Sequence, residues 1–327
     1  MTRTALVVAA LHVVGIGGLA ATLVLDGGAG SITLVMALTA YGLGLRHAFD
    51  ADHIATIDNT TRRLVREGRD ARGVGLWFSL GHSTVVVGAA VLLAVGVQAL
   101  APALEDESSP WRRFTGVWGP VVSGTFLLTI AVVNVLLLRR ALRAARSGGP
   151  GAAHDHGPAG GPVAWAVHRF SWATDRPGRM YGVGLVFGLG FDTATEIGLL
   201  AMTASAALGQ VPWYAPLPLA VLFAAGMSLL DSVQGSAARR AYAQAGTGAP
   251  GRGRLRYDVL VTGVSAAAAV GIGGVTLLQV AAEHLPALAH VPGASVGLEP
   301  YGLVLAGVLL VAWVVGLLCL RQPRAEA

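Results

Sequence analysis

The stretch LRHAFDADHIATIDNTTR, residues 45–62, sets Arg46, His47, Asp50, Asp52, His53 and Asp58 inside a chain whose other long stretches are almost pure Ala, Val, Leu and Gly. Its surroundings decide how it is read. Hydrophobic residues make up 54% of the chain and charged residues 13%, with a mean hydropathy of +0.63, far from the average soluble domain. Apolar runs near or above the roughly 20 residues that a bilayer requires fall at 5–25, 31–58, 73–100, 118–138, 181–208, 216–234, 258–280 and 302–320. The expected fold is all-α: a polytopic membrane protein of eight transmembrane helices, with 1–327 as a single transmembrane domain. The first run exceeds the roughly 7 to 15 residues of a signal-peptide core and is read as a span of the mature chain.

Every basic residue is arginine, and their placement gives an orientation. Arg3 precedes the first span; Arg62, Arg63, Arg66, Arg69 and Arg72 follow the second; further clusters follow the fourth and sixth, and Arg321 and Arg324 follow the eighth. The alternate loops hold only Arg112 and Arg113. By the positive-inside rule both termini face the cytoplasm, across the cytoplasmic membrane. The net charge of +5 therefore reports topology and contact with an anionic lipid bilayer, and no nucleic acid is implied. The absence of lysine removes a P-loop lysine and any Schiff-base cofactor site, so ATP hydrolysis within the chain is not the expected energy source. The lone Cys319 cannot form an intramolecular disulfide.

Residues 139–180 form the one long loop, cytoplasmic in this topology, with a flexible Gly/Pro/His segment, SGGPGAAHDHGPAGG. His154 and His156 flank Asp155 there, as a weak metal-collecting patch or as solvated linker. The outer loop carrying Glu283, His284 and His290 is open to the same two readings.

The buried polar groups carry more weight. Asp50, Asp52, Asp58, Asp192, Glu196 and Asp231 all fall in or at the edge of spans, where each carboxylate costs about 2.5–3.5 kcal/mol. Arg46 is the one cation within a span, so the region is electronegative unless it binds something positive. His47, His53 and His82 share these spans. A lone membrane histidine is usually a hydrogen-bonded packing residue, but three beside six carboxylates favour a cation site. Imidazole with carboxylate suits borderline divalent metals such as Ni, Co and Zn, whereas Mg and Ca prefer all-oxygen sites. At about 100° per residue, His47, Asp52 and His53 point near 0°, 140° and 240°, so a regular helix cannot aim all three at one ion. The second span is therefore expected to break between His47 and His53. Asp192 and Glu196 stand at i and i+4 on one face with Thr195 beside them, and Ser228, Asp231 and Gln234 share a face of the sixth span.

The two halves of the chain repeat one another. FDADHIA at 49–55 resembles FDTATEIG at 191–198, and FSLGHS at 78–83 resembles FAAGMS at 223–228, at nearly equal offsets. A shift of three spans reverses orientation across the membrane, which is the inverted-repeat plan of secondary transporters: spans 1–3 and 4–6 as repeats, with two helices added.

At these residues a family is recognisable. RHAFDADHIATIDNTTR (46–62), LGHSTVV (80–86), LGFDTATE (189–196) and GMSLLDS (226–232) resemble the four ordered motifs of the nickel/cobalt transporter family, NiCoT. The resemblance covers nearly the whole chain. It implies a cytoplasmic-membrane permease, not an enzyme, that takes up Ni²⁺ or Co²⁺ as substrate, with no resident cofactor and no ATPase subunit. It also implies that the His-x4-Asp-His residues His47, Asp52 and His53 are essential. The expected metal-handling residues are these three with His82, Asp192, Glu196 and Asp231, supported by Arg46, Asp50, Asp58, Ser83, Thr195 and Gln234. One departure stands out: the family's fourth motif usually continues Asp-Thr-x-Asp, and here it reads Asp231, Ser232, Val233, Gln234. Two other readings compete, a nickel/cobalt exporter driven by proton exchange and a membrane metalloenzyme. The second would require several clustered histidine boxes. Import is the direction favoured electrically, since a divalent ion moving inward gains about 4.6 kcal/mol per 100 mV of inside-negative potential.

Overall fold

A computed structural model of the chain describes residues 3–25, 34–94, 110–146, 172, 174–189, 216–246, 252–297 and 301–321. Its α-helices are α1 (Arg3–Leu25), α2 (Leu34–His47), α3 (Ala51–Arg66), α4 (Val74–Ala94), α5 (Pro110–Arg146), α6 (Met180–Gly188), α7 (Pro216–Gly246), α8 (Arg252–His284) and α9 (Tyr301–Arg321). Single 3-10 turns sit at Pro177–Arg179 and Pro286–Leu288. Among the described residues there is no strand. Five stretches have the length and hydropathy to cross a bilayer: Arg3–Leu25, Val74–Leu92, Gly116–Leu136, Leu217–Gln244 and Val259–His284. Large apolar side chains such as Val13, Val14, Leu303 and Leu310 are exposed, while His53, Asp58, Arg62 and Asp231 are buried. That is the reverse of a protein surrounded by water, and the chain is a multi-pass membrane protein.

The second apolar run of the sequence is two helices. α2 stops at His47, residues 48–50 turn, and α3 starts at Ala51, so the expected break is present. Its cause is electrostatic as well as steric. Arg46 and His47 occupy the last turn of α2 and Asp52 the first turn of α3, with Asp50 as N-cap residue, and each charge complements the dipole end beside it. α3 then continues past residue 58 to Arg66, where the hydropathy reading had stopped. Arg62, counted with the loop arginines, lies within α3 and is 1% exposed. α3 ends where Gly68 takes φ +69° and the Arg69 N–H reaches the Leu64 carbonyl at 2.8 Å, a glycine-terminated helix end. In the turn that follows, hydrogen bonds from Arg72 hold the Asp70 carboxyl below the usual carboxylate range.

The chain divides into two compact units. The first comprises Met1–Phe49, Gly73–Val122 and Gly178–Gln234, and the second Asp50–Arg72, Ser123–Pro177 and Gly235–Ala327. In the first, α4 and α6 approach until their backbones touch. A Cβ at Gly81 would meet the Tyr181 carbonyl, and one at Gly184 the Phe78 carbonyl. Small residues permit this contact in membrane helices, where van der Waals packing replaces hydrophobic drive. In the same unit, Ala37 and Ala40 of α2, Val86 of α4 and Leu219, Phe223 and Met227 of α7 form an apolar core.

In the second unit, α3 packs against α8 and α9. It is polar yet buried on nearly every side, from Ala51 and His53 through Arg62 and Leu64. A second glycine contact joins α5 to α8: a Cβ on Gly124 would lie 2.7 Å from Leu277 Cγ and 3.0 Å from the Gly273 carbonyl. Gly124→Ala is expected to lower stability in detergent by about 1–3 kcal/mol through overpacking. A thermal melt of the purified variant checks it.

Candidate metal centre

His47 and His82 meet in the first unit. His47 is the last residue of α2, placed there because the chain leaves the helix through the Phe49 N–H to Arg46 carbonyl bond at 2.9 Å. His82 sits on α4 and is 4% exposed. Their Nε2 atoms are 3.1 Å apart and the ring centroids 4.8 Å, so one ring donates its N–H to the other. Two nitrogens bound to one ion at about 2.0–2.1 Å would lie roughly 2.9 to 3.4 Å apart. The pair thus has the separation that two ligands of one metal ion would have. Phe223 lies 5.8 Å from the His47 ring and Phe78 6.4 Å from that of His82, an apolar wall that strengthens any charge interaction within it.

Close by in the same unit, the Ser79 hydroxyl contacts the Leu76 carbonyl and Ser228 Oγ, both at 3.0 Å, tying α4 to α7. Asp231 follows one turn along α7, fully buried, and its carbonyl abuts Gly75 of α4 so closely that no Cβ fits between. Ser83, next to His82, is also buried. Gln234 is half-buried and Arg46 exposed.

His53, in the first turn of α3, belongs to the second unit and is 1% exposed. Asp52 is engaged at both oxygens: Oδ1 accepts the His53 backbone N–H at 2.9 Å and Oδ2 the Ser123 hydroxyl at 2.9 Å. Its carboxylate serves the start of α3. Asp58 joins a buried network on the same helix. It accepts hydrogen bonds from the Tyr242 hydroxyl and from Ser265 Oγ at 2.8 Å, with the Arg62 guanidinium as neighbouring opposite charge. Trp313 Nε1 donates to Tyr242 at 3.0 Å. Because an indole can only donate, the Tyr242 proton is directed at Asp58. One residue on, Asn59 Oδ1 accepts from Arg62 and from Asn134, each at 2.7 Å, while its amide donates to the Ala55 carbonyl. Four helices, α5, α7, α8 and α9, thereby grip α3 through polar side chains.

Asp192, Thr195 and Glu196, like His154, Asp155 and His156, lie outside the described residues. Several site neighbours escaped the sequence reading: Ser79, Asn59, Ser123, Asn134, Tyr242, Ser265 and Trp313. Their common signal is a polar side chain within an apolar run. His12 was also passed over. On α1 it bonds the Val8 carbonyl at 2.8 Å and the Tyr41 hydroxyl at 3.1 Å, a satisfied packing histidine.

The chain is thus a multi-pass helical membrane protein with two imidazoles paired in an apolar interior, a donor type that suits borderline divalent metals. The chain is a member of the high-affinity nickel-transport protein family, whose model matches residues 33–319. It is 41% identical to the nickel transporter NicT of Mycobacterium tuberculosis, over 98% of this chain and 88% of that protein. It is 40% identical to a high-affinity nickel transport protein of Cupriavidus necator, over 90% and 85%, and 38% identical to the cobalt transport protein NhlF of Rhodococcus rhodochrous, over 85% and 80%. These relatives are transport proteins and not enzymes. No solved structure matches the chain.

Proposed function

We propose that this chain is a permease that takes up Ni²⁺ or Co²⁺ across the cytoplasmic membrane as a single component, with the metal as substrate and no ATP-hydrolysing subunit. The observation that carries the reading is the His47–His82 pair in a member of a nickel-transport family. His53 is the third imidazole that the His-x4-Asp-His motif supplies. Borderline divalent ions favour such nitrogen ligands over the hard Mg²⁺ that outnumbers them in cells. Asp52, tied to Ser123, orients the start of α3, and Asp231, Asp192 and Glu196 supply counter-charge along the route.

The architecture proposed with it has eight spans in one permease domain, both termini in the cytoplasm and residues 139–180 as a cytoplasmic loop. Spans 1–3 and 4–6 are inverted repeats, with two further helices added. Radioactive nickel and cobalt accumulation by cells expressing the chain tests the function. Accumulation well above that of cells carrying the empty vector is expected for at least one of the two metals, and it should collapse when the membrane potential is dissipated. Faster loss of metal from preloaded cells would reverse the assigned direction and identify an exporter.

A further inference from the structure

Five helical threonines among the described residues share one behaviour. Thr22, Thr39, Thr84, Thr129 and Thr276 each donate the hydroxyl to a carbonyl three or four residues earlier in their own helix, at 2.7–2.9 Å. This is the usual resting place of a helical hydroxyl. Thr56, Thr60 and Thr61 of α3 depart from it. All three are 0% exposed, and none of their hydroxyls has a hydrogen-bond partner among the described residues; Thr56 and Thr60 are the two nearest His53 around the helix. Buried polar atoms left in this state are rare and call for a specific cause, an ordered water or an ion above all.

Their placement on α3 supplies the cause. At about 100° and 1.5 Å per residue, Thr56 and Thr60 stand roughly 60° and 20° from His53 around the helix, about 4.5 and 10.5 Å further along it. His53, Thr56 and Thr60 thus form one row at i, i+3 and i+7. Asp58, Asn59 and Arg62 lie between about 120° and 180° from His53, and their network with Tyr242, Ser265 and Asn134 fixes the rotation of α3 from that flank. The hydroxyl row is left on the flank of His53.

We propose that Thr56 and Thr60 form an onward station for the transported divalent ion, an oxygen-lined step that receives the partly hydrated metal from His53. The inference rests on the permease reading. Hydroxyl oxygens are neutral, hard donors that bind a cation or its waters loosely, and a conducting route requires sites favourable enough to enter and weak enough to leave. Imidazoles select the ion, and the threonines pass it on.

The test uses the purified full chain in liposomes with an inside-negative potential and radioactive Ni²⁺, comparing the parent with Thr56→Val, Thr60→Val and Thr60→Ser. Valine has nearly the shape of threonine without the hydroxyl, so the variants are expected to be at least as thermostable as the parent. Their maximal uptake rate is expected to fall about tenfold, what the loss of one hydrogen bond to a charged group amounts to. The half-saturating Ni²⁺ concentration and equilibrium Ni²⁺ binding should stay unchanged, and Thr60→Ser should restore the rate. Parental rates in the stabilised valine variants would overturn the proposal, because the hydroxyls would then be packing defects. A rate that falls only in proportion to lost folded protein would overturn it equally. No Ni²⁺ uptake by the parent would remove the permease reading itself, before any variant is compared.

Discussion

Replacing His47 or His82 with alanine is expected to cut Ni²⁺ and Co²⁺ uptake by roughly 100-fold or more while the amount of protein in the membrane stays near that of the parent. The magnitude follows from what these rings are proposed to do. Loss of a group that merely orients a metal ligand typically costs 10–100-fold in affinity, and loss of a ligand itself costs at least the upper end of that range. The separation of abundance from activity also follows from the geometry. The two Nε2 atoms at 3.1 Å are within hydrogen-bond distance, and loss of that bond costs a net of about 0.5–1.5 kcal/mol. The glycine contacts that join α4 to α6 are untouched. Replacing His53 together with His47 should leave no measurable uptake. His12→Ala provides the comparison: it removes an imidazole already committed to Val8 and Tyr41, and most uptake should persist. Normal nickel accumulation by the His47→Ala, His53→Ala double variant would refute the site.

Asp58→Ala is expected to act in the opposite way, through the amount of folded protein. It strips the acceptor from Tyr242 and Ser265 at once and takes the neighbouring negative charge from the buried Arg62. Leaving buried donors without their acceptor costs about 1–3 kcal/mol for each group, together a large part of the roughly 5–15 kcal/mol by which folded domains exceed unfolded ones. Abundance in the membrane and the melting temperature in detergent should both fall sharply. Tyr242→Phe removes one of the two hydroxyls and should show a smaller loss of the same kind. Wild-type melting behaviour in Asp58→Ala would mean that the network contributes little to the hold on α3.

The class of fold was legible in the sequence because apolar runs of bilayer length leave few alternatives, and the helix break was legible because His47, Asp52 and His53 cannot point one way on a regular helix. The end of α3 was not. A hydropathy window sees Asp58, Arg62 and Arg63 as the start of a loop, although Asp58 and Arg62 are buried against protein and hydrogen-bonded there. Apolarity to lipid and burial in protein are different quantities, and only the first is written in a window average. The histidines were found because imidazoles are scarce in spans. The partners of Asp58 and Asp52 were missed for the converse reason: Ser123, Tyr242, Ser265 and Trp313 are each unremarkable alone, and nothing local links positions so far apart in the chain.

The polar character of α3 also bears on how the protein is made. Each side-chain partner named for Asp52 and Asp58, other than Arg62 on α3 itself, comes later in the chain: Ser123, Tyr242 and Ser265, with Trp313 bonded behind Tyr242. As α3 emerges from the ribosome, none of these has been synthesised, and a segment carrying Asp58, Asn59, Arg62 and Arg63 gains little from partitioning into lipid. Its direct polar partners are therefore complete only once α8, which carries Ser265, has been translated. α9 adds its hold from behind, packing on α3 and bonding Tyr242 through Trp313, so a chain truncated before Trp313 is expected to accumulate less in the membrane than the parent.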